Sequence, residues 1–371
     1  MKVSVIGWEL PPAFSGGLGI HTINLFSIIS KFAEVEIYIP NMARFYPFYP
    51  FSVKTVPLTL QGFKSSYEPI ITNFYEAVEE YNQKVVKIFN AKNIDVIHCH
   101  DWITFKAGIE IKEKYGIPLV VTVHSTEIDR SGNFYPQRSI MDIEEQGLKK
   151  ADRIIAVSDY TRKIITDTYD VPDSKITTIY NGLGKHFSLI PPKNYNLSGY
   201  VLYFGRITMQ KGPKFFVEAA RKVIDEIHNV RFIMAGTGEQ LGEMIALSKD
   251  LSIHKNMIFT GFVEFNKAMQ YYRDSDLFVL PAVSEPFGIT VLEAMSSGTP
   301  AIISKTTGVG EALKNILRTD FWDTDLIAEY IIGAIKYRSL RSTLGAIGQL
   351  EAKRFTWEKA AIRTMEVYRS L

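Results

Sequence analysis

Two glutamates, Glu285 and Glu293, bracket the stretch Glu285-Pro286-Phe287-Gly288-Ile289-Thr290-Val291-Leu292-Glu293, directly after the apolar run Asp276 to Leu280. The pattern predicts a strand, a tight loop and a helix running through Ala294-Met295. One carboxylate then lies in the loop and the other about a turn and a half into the helix. Pro286 and Gly288 tighten the loop and leave backbone amides from Phe287 to Thr290 facing outward. A helix start with free N–H groups attracts phosphate. The carboxylates repel phosphate but accept hydrogen bonds from hydroxyls. Phosphate beside several hydroxyls describes a nucleotide sugar.

A second constellation lies in Gly205-Arg206-Ile207-Thr208-Met209-Gln210-Lys211-Gly212, between the run Tyr200 to Phe204 and a helix from about Phe215. Arg206 and Lys211 therefore sit in a loop at the carboxyl end of a strand, where open α/β sheets bind ligands. Alone they read as solvated basic side chains. Beside the glutamate pair they read as a cationic clamp for a departing diphosphate, a planar fork and a mobile point charge that need no metal.

These two segments, with Ser15-Gly16-Gly17-Leu18-Gly19, His98-Cys99-His100-Asp101-Trp102, Thr122-Val123-His124-Ser125-Thr126-Glu127, Tyr180-Asn181-Gly182, Gly236-Thr237-Gly238-Glu239, Gly261-Phe262 and Phe355-Thr356-Trp357-Glu358, resemble the retaining glycosyltransferases of family 4, on their glycogen and starch synthase side. The resemblance covers nearly the whole chain. It implies an α/β protein of the GT-B fold, two facing Rossmann-like domains with parallel sheets and a cleft between them.

The resemblance also implies roles. Glu293 takes the ribose hydroxyls and Arg206 with Lys211 neutralises the diphosphate. Glu285 with the Phe287 and Gly288 amides grips the sugar, Ile289 and Thr290 belong to the donor-binding set, and Gly236 and Gly261 end strands at the donor. Gly16 and Gly17 touch the diphosphate, and His124 shapes the site near the reacting carbon by hydrogen bonding. Asp101 and Trp102 stand at the acceptor or sugar edge. Three positions depart from the family pattern. Phe14 replaces a lysine of the bacterial and plant synthases, Gly184 replaces an aspartate, and Leu317-Arg318-Thr319-Asp320 replaces a glycine-rich turn.

Metal is not expected. His98, Cys99, His100 and Asp101 are ligand types, but the sequence offers no second cluster to complete a tetrahedral site. Asp274-Ser275-Asp276 and Asp323-Thr324-Asp325 do not follow strand ends, and Asp323 reads as a helix N-cap. No cofactor beyond the nucleotide sugar donor is expected.

Short β-branched runs alternate with helical patterns, at Val3–Ile6, Val35–Ile39, Val96–His98, Leu119–Val123, Ile154–Val157 and Ile176–Ile179, which predicts parallel sheets with crossover helices. The second half repeats this at Val201–Phe204, Arg231–Met234, Met257–Thr260, Leu277–Leu280 and Ala301–Ser304. The stretch Gly184 to Ser198, with Pro191-Pro192, lacks periodicity and reads as a linker. Domains are thus expected at 1–190, the acceptor side, and 191–356, the donor side; the resemblance implies that a terminal helix, 357–371, returns to the first.

With 371 residues the chain is long enough for two or three domains. A net charge of +2 gives no field for nucleic acid. The single cysteine, Cys99, suits a reducing compartment, and neither a signal peptide nor a spanning apolar run is read. A cytoplasmic protein follows, with a nucleotide sugar and a carbohydrate acceptor as partners and no indicated membrane contact. The segment Ala43 to Phe51, dense in aromatics and broken by prolines, fits burial, sugar stacking or a membrane face. Two rivals stand beside glucosyl transfer to a glucan: transfer, for example of mannose, to a lipid-linked or small acceptor, and nucleotide-sugar binding without catalysis.

Overall fold

Each β-branched run forms a strand whose two faces are covered by helices, as parallel sheets require. The computed structural model describes residues 1–12, 16–42, 46–59, 71–132 and 134–371. Residues 13–15, 43–45, 60–70 and 133 lie outside them, and with them the Phe14 departure and the start of the aromatic segment. Two compact units result. The first holds Met1–Glu127, Pro136–Gly182 and Trp357–Leu371; the second holds Ile128–Tyr135 and Leu183–Thr356.

In the first unit the described strands are β1 (Lys2–Ile6), β2 (Glu34–Pro40), β3 (Ser52–Val56), β4 (Val96–His100), β5 (Leu119–Val123), β6 (Arg153–Ala156) and β7 (Ile176–Thr178). They pair in parallel in the order β3-β2-β1-β4-β5-β6-β7. Period-two alternation splits the core. Ile97, Cys99, Leu119, Val121 and Ile154 pack on one face with Phe105 and Ile111. Val96, Val120 and Ile155 pack on the other with Phe26, Ile29, Trp357 and Tyr368. The buried Cys99 thiol is pushed up to about 12 by desolvation.

The second unit carries β8 (Tyr200–Phe204), β9 (Arg231–Ala235), β10 (Met257–Gly261), β11 (Leu277–Leu280), β12 (Ala301–Ser304) and β13 (Leu317–Thr319). Among the described residues these form one parallel sheet, ordered β10-β9-β8-β11-β12-β13. The edge strands β3 and β13 lack a sequence signal. Ser52-Val53-Lys54-Thr55-Val56 is half polar and largely exposed, and β13 is three residues long.

The stretch read as a linker is strapped to the second unit. Leu183 N–H donates to Phe355 O at 2.9 Å, and Gln349 Nε2 donates to Ile190 O and Pro191 O at 3.3 Å. Lys193 Nζ donates to Thr299 Oγ1 at 2.8 Å, and Arg341 to Tyr195 O at 3.0 Å. The boundary between units accordingly falls at Gly182/Leu183. The described aromatics of the 43–51 segment divide: Tyr49 and Phe51 are buried and stacked at 5.2 Å, whereas Phe48 is 96% exposed.

Both Asp-X-Asp triplets have structural employment. Asp276 accepts from the Ser198 and Gly199 backbone and faces Arg341 at 3.7 Å. Asp323 caps its helix by accepting from Leu326 N–H at 3.0 Å.

Candidate active site

Both sheets reverse their strand order once, the first between β1 and β4, the second between β8 and β11. Loops leaving the carboxyl ends of such a strand pair diverge and open a crevice. In the second unit, β8 and β11 are hydrogen-bonded neighbours with Leu277 opposite Val201. Their following loops carry Arg206 with Lys211 and Glu285 with Gly288, which places distant sequence motifs side by side.

Lys211 ends a single 3-10 turn, Met209–Lys211, and its Nζ is ion-paired with the Glu285 carboxylate. Only 15% and 11% of the two side chains remain exposed. Arg206 donates to Gln210 Oε1 at 3.2 Å, and its carbonyl is held by the Tyr203 hydroxyl at 2.7 Å. The Glu285 loop is zipped along its backbone to the loop after β12. Glu285 N–H donates to Thr306 O at 3.0 Å, Gly308 N–H to Glu285 O at 2.8 Å and Val309 N–H to Phe287 O at 2.7 Å. Gly288 then opens the helix Ile289–Ser296 at φ 102°, a backbone region that strains a side chain. No side chain caps that helix, so its first amides, at Ile289 and Thr290, keep their capacity for a ligand. Glu293 is buried one turn further on, accepts from the Tyr272 hydroxyl at 2.9 Å, and is raised by desolvation to about 7.

Gly236 and Gly261 end β9 and β10. A Cβ on Gly236 would lie 1.8 Å from the Gly205 carbonyl oxygen. The loops after β8 and β9 are locked at that close approach, with Ile207 N–H donating to Thr237 O at 2.8 Å. Gly236→Ala is expected to lower stability by about 1–3 kcal/mol through overpacking, read as a lower urea midpoint. An unchanged midpoint would refute the close approach.

The first unit assembles a second constellation. Residues 96, 98 and 100 of β4 share a face with 120 and 122 of β5 and with His124 beyond it, because His100 stands opposite Thr122. His98 is fully engaged, with Tyr368 at 2.6 Å and Thr122 at 2.7 Å. His124 stacks on His100, whose Nδ1 lies 2.9 Å from His124 Nε2. His21, from the helix Gly17–Ile29, closes on His124 with ring centroids 4.4 Å apart. Its Nδ1–H donates to Asn181 Oδ1 at 2.8 Å. Burial lowers all four imidazoles, His21 to about 4 and His98 to about 3, so all are neutral at pH 7.

Asp101 does local work. Its carboxylate accepts from His124 N–H at 2.7 Å, fixing the backbone that presents the imidazole. Its own backbone, at φ 57° and ψ 170°, is in a region that L-residues rarely adopt. Trp102 is 6% exposed and packs against Phe74 and Tyr75, so its ring is a core contact. Gly16 precedes the helix in extended backbone and Gly17 is exposed. The Gly19 amide is taken by the buried Glu9 carboxylate at 3.1 Å.

Two family models divide the chain, Glycosyltransferase Family 4 over residues 15–184 and Glycosyl transferases group 1 over residues 191–349. The chain belongs to the GT-B glycosyltransferases. This glycosyltransferase is 27% identical to an uncharacterized glycosyltransferase of Methanocaldococcus jannaschii, with 100% of the chain and 98% of the relative covered. It is 25% identical to the alpha-maltose-1-phosphate synthase of Mycolicibacterium smegmatis, with all of both chains covered. Its fold matches sucrose-phosphate synthase from Thermosynechococcus elongatus with a TM-score of 0.82, at 20% identity over 100% and 98% of the two chains. Among the described residues, no helix is long and apolar enough to cross a membrane.

Two members of this cluster escape sequence reasoning. His21 lies on a helix with no motif of its own, and only the sheet order brings it to His124. Asn181 stands in a family motif, Tyr180-Asn181-Gly182, but its partner becomes visible only in the fold. Residues 128–135 also join the second unit, where Ser284 Oγ donates to the buried Asp129 carboxylate at 2.6 Å, next to Glu285.

Proposed function

We propose that the enzyme transfers a hexosyl group, glucose in the first instance, from a nucleoside diphosphate sugar to a carbohydrate acceptor with retention of anomeric configuration. The observation that carries this reading is the Lys211–Glu285 pair beside the uncapped helix start at Gly288. One cation, one carboxylate and free amides meet there, the set a sugar bonded to a diphosphate requires.

In the reaction the bond from the anomeric carbon to the diphosphate oxygen breaks, and a bond to the acceptor oxygen forms on the same face. The acceptor proton passes to the departing phosphate oxygen, and nucleoside diphosphate leaves. Arg206 and Lys211 offset the growing phosphate charge, a stabilisation that is largest in the transition state. Glu285 accepts from a sugar hydroxyl through the oxygen that Lys211 leaves free. Glu293, with one oxygen on Tyr272, offers the other to the ribose. Positive charge at the diphosphate thus comes from side chains, and no metal or other cofactor is assigned to that step. His124, held through Asp101, orders the sugar by hydrogen bonding as a neutral imidazole. The single buried cysteine fits a cytoplasmic setting.

Two acceptor classes follow. The sequence resemblance to glycogen and starch synthases favours a glucan. The names of the maltose-1-phosphate and sucrose-phosphate synthases favour a small phosphorylated sugar, since each makes a phosphorylated disaccharide. The test is nucleoside diphosphate release from UDP-, ADP- and GDP-glucose and GDP-mannose, alone and with maltooligosaccharides or hexose phosphates. Stimulation by oligosaccharide supports the glucan reading, and stimulation by a hexose phosphate supports the small-acceptor reading. Absence of release with every donor and acceptor, from folded protein, would defeat the transferase reading.

A further inference from the structure

Ser284 precedes Glu285, and Gln210 precedes Lys211. The two residues are joined: Ser284 N–H donates to Gln210 O at 3.3 Å, and Gln210 Oε1 accepts from Arg206 at 3.2 Å. Ser284 also donates its hydroxyl to the Asp129 carboxylate at 2.6 Å, across 155 residues of chain. Asp129, Ser284 and Gln210 are all buried, Asp129 completely. The separation is that of a charge-assisted O–H···O⁻ bond, and a buried carboxylate is tolerated only where such bonds hold it. Residues 128–135 belong to the second unit, as an excursion from a stretch otherwise in the first. Gly132, at φ 57°, lays the backbone of this excursion on both loops: a Cβ there would lie 2.8 Å from Met209 Sδ and 3.2 Å from Val283. Met209 opens the turn that ends in Lys211, and Val283 directly precedes Ser284.

We propose that Asp129 is a positioning residue for the Lys211–Glu285 pair and acts through Ser284. The proposal rests on the transferase reading of that pair. Glu285 is held on one side by backbone bonds to the loop after β12. Ser284 supplies the other side: Asp129 fixes its hydroxyl, and its amide fixes the carbonyl just before Lys211. The carbonyl and side chain of Gln210 carry the same constraint to Lys211 and Arg206. Without an acceptor at position 129 the Ser284 hydroxyl turns elsewhere, and the junction of the two loops loses that anchor. Displacing a reacting group by about 1 Å costs about 100-fold in rate, so a small slackening here is felt in turnover. The anchor needs an acceptor and not a negative charge, so an amide oxygen at 129 serves as well. Nothing local in the sequence marks Asp129, because the contact spans the two halves of the chain.

The test measures nucleoside diphosphate release by the full-length protein, with urea midpoints to show which variants are folded. Asp129→Ala and Ser284→Ala should each lower kcat about 100-fold with donor KM little changed. The double variant should lose no more than either single one, because both changes break one contact. Asp129→Asn should recover most of kcat. A residue that only held the fold would lower the midpoint and leave kcat alone. Wild-type kcat in folded Asp129→Ala, multiplied losses in the double variant, or no recovery in Asp129→Asn would each overturn the proposal. If Asp129→Ala does not fold, Ser284→Ala, which removes a single hydroxyl, carries the same prediction. Absence of release from wild type would defeat the transferase reading and leave the anchor to a second readout. In 15N-lysine NMR the Lys211 Nζ resonance, identified by its loss in Lys211→Arg, should shift in Ser284→Ala and hold its place in Asp129→Asn. A resonance unmoved by Ser284→Ala would overturn the anchor itself.

Discussion

Glu285→Ala is expected to lower turnover by about 10²–10³-fold, the usual loss when one charged or hydrogen-bonding group is removed from a preorganised site. The structure adds that this variant is not silent toward the fold. Glu285 is the ion partner of Lys211, and both side chains are largely buried. Removing one partner strands the other, at about 1–3 kcal/mol. Loss of activity in the alanine variant therefore mixes chemistry with destabilisation. Glu285→Gln separates them: the amide oxygen still accepts from Lys211 Nζ, so the fold is held, while the negative charge is gone. Glu285→Gln should keep most of the unfolding free energy yet lose most of kcat. A folded glutamine variant with wild-type kcat and donor KM would remove Glu285 from the reaction and leave the pair as a structural strut.

That pair also shows how far the sequence could be read. The strand, loop and helix around Glu285, and the loop carrying Arg206 and Lys211, are legible because each is local: a β-branched run, a glycine or proline, then helical periodicity. What joins them is non-local. Lys211 meets Glu285 because β8 pairs with β11 and not with its sequence neighbours alone, and no spacing rule encodes that crossover. The histidine cluster obeys the same logic. His100 and His124 share a face through the register of β4 on β5, and His21 arrives on a helix whose own pattern says only that one side is buried. Edge strands β3 and β13 were illegible for another reason. Half their positions face solvent or the sheet margin, so neither alternation nor a continuous apolar run develops. The Gly184 to Ser198 stretch lacks periodicity because its carbonyls are held one by one from Gln349, Arg341 and Lys353, a kind of order that leaves no repeat.

Glu293 yields the other large effect, and its sign is opposite for stability and for function. Burial raises its carboxyl from the ordinary 4.5 to about 7, with the Tyr272 hydroxyl acting against the shift. A carboxyl raised in the folded state binds its proton more tightly there than in the unfolded chain. Its contribution to stability is therefore fully present below about pH 4.5 and is lost as pH rises through about 7. Above that, the fold carries a desolvated charge, at roughly 3 kcal/mol from the size of the shift. Glu293→Gln removes that charge, and Tyr272 can still donate to the amide oxygen. At pH 8 the variant should be more stable than wild type by about 3 kcal/mol, and at pH 4.5 the two should coincide. Donor binding should move the other way. A charged acceptor holds a ribose hydroxyl more strongly than an amide does, so donor KM at pH 8 should rise about tenfold, equivalent to about 1.4 kcal/mol. Paired urea titrations at the two pH values and donor KM at pH 8 read both effects. Equal stability at pH 8 would mean that Glu293 is not buried as a charge, and an unchanged donor KM would take it out of the nucleotide site. A residue that weakens its own fold at working pH while tightening the donor is where selection for function has overridden selection for stability.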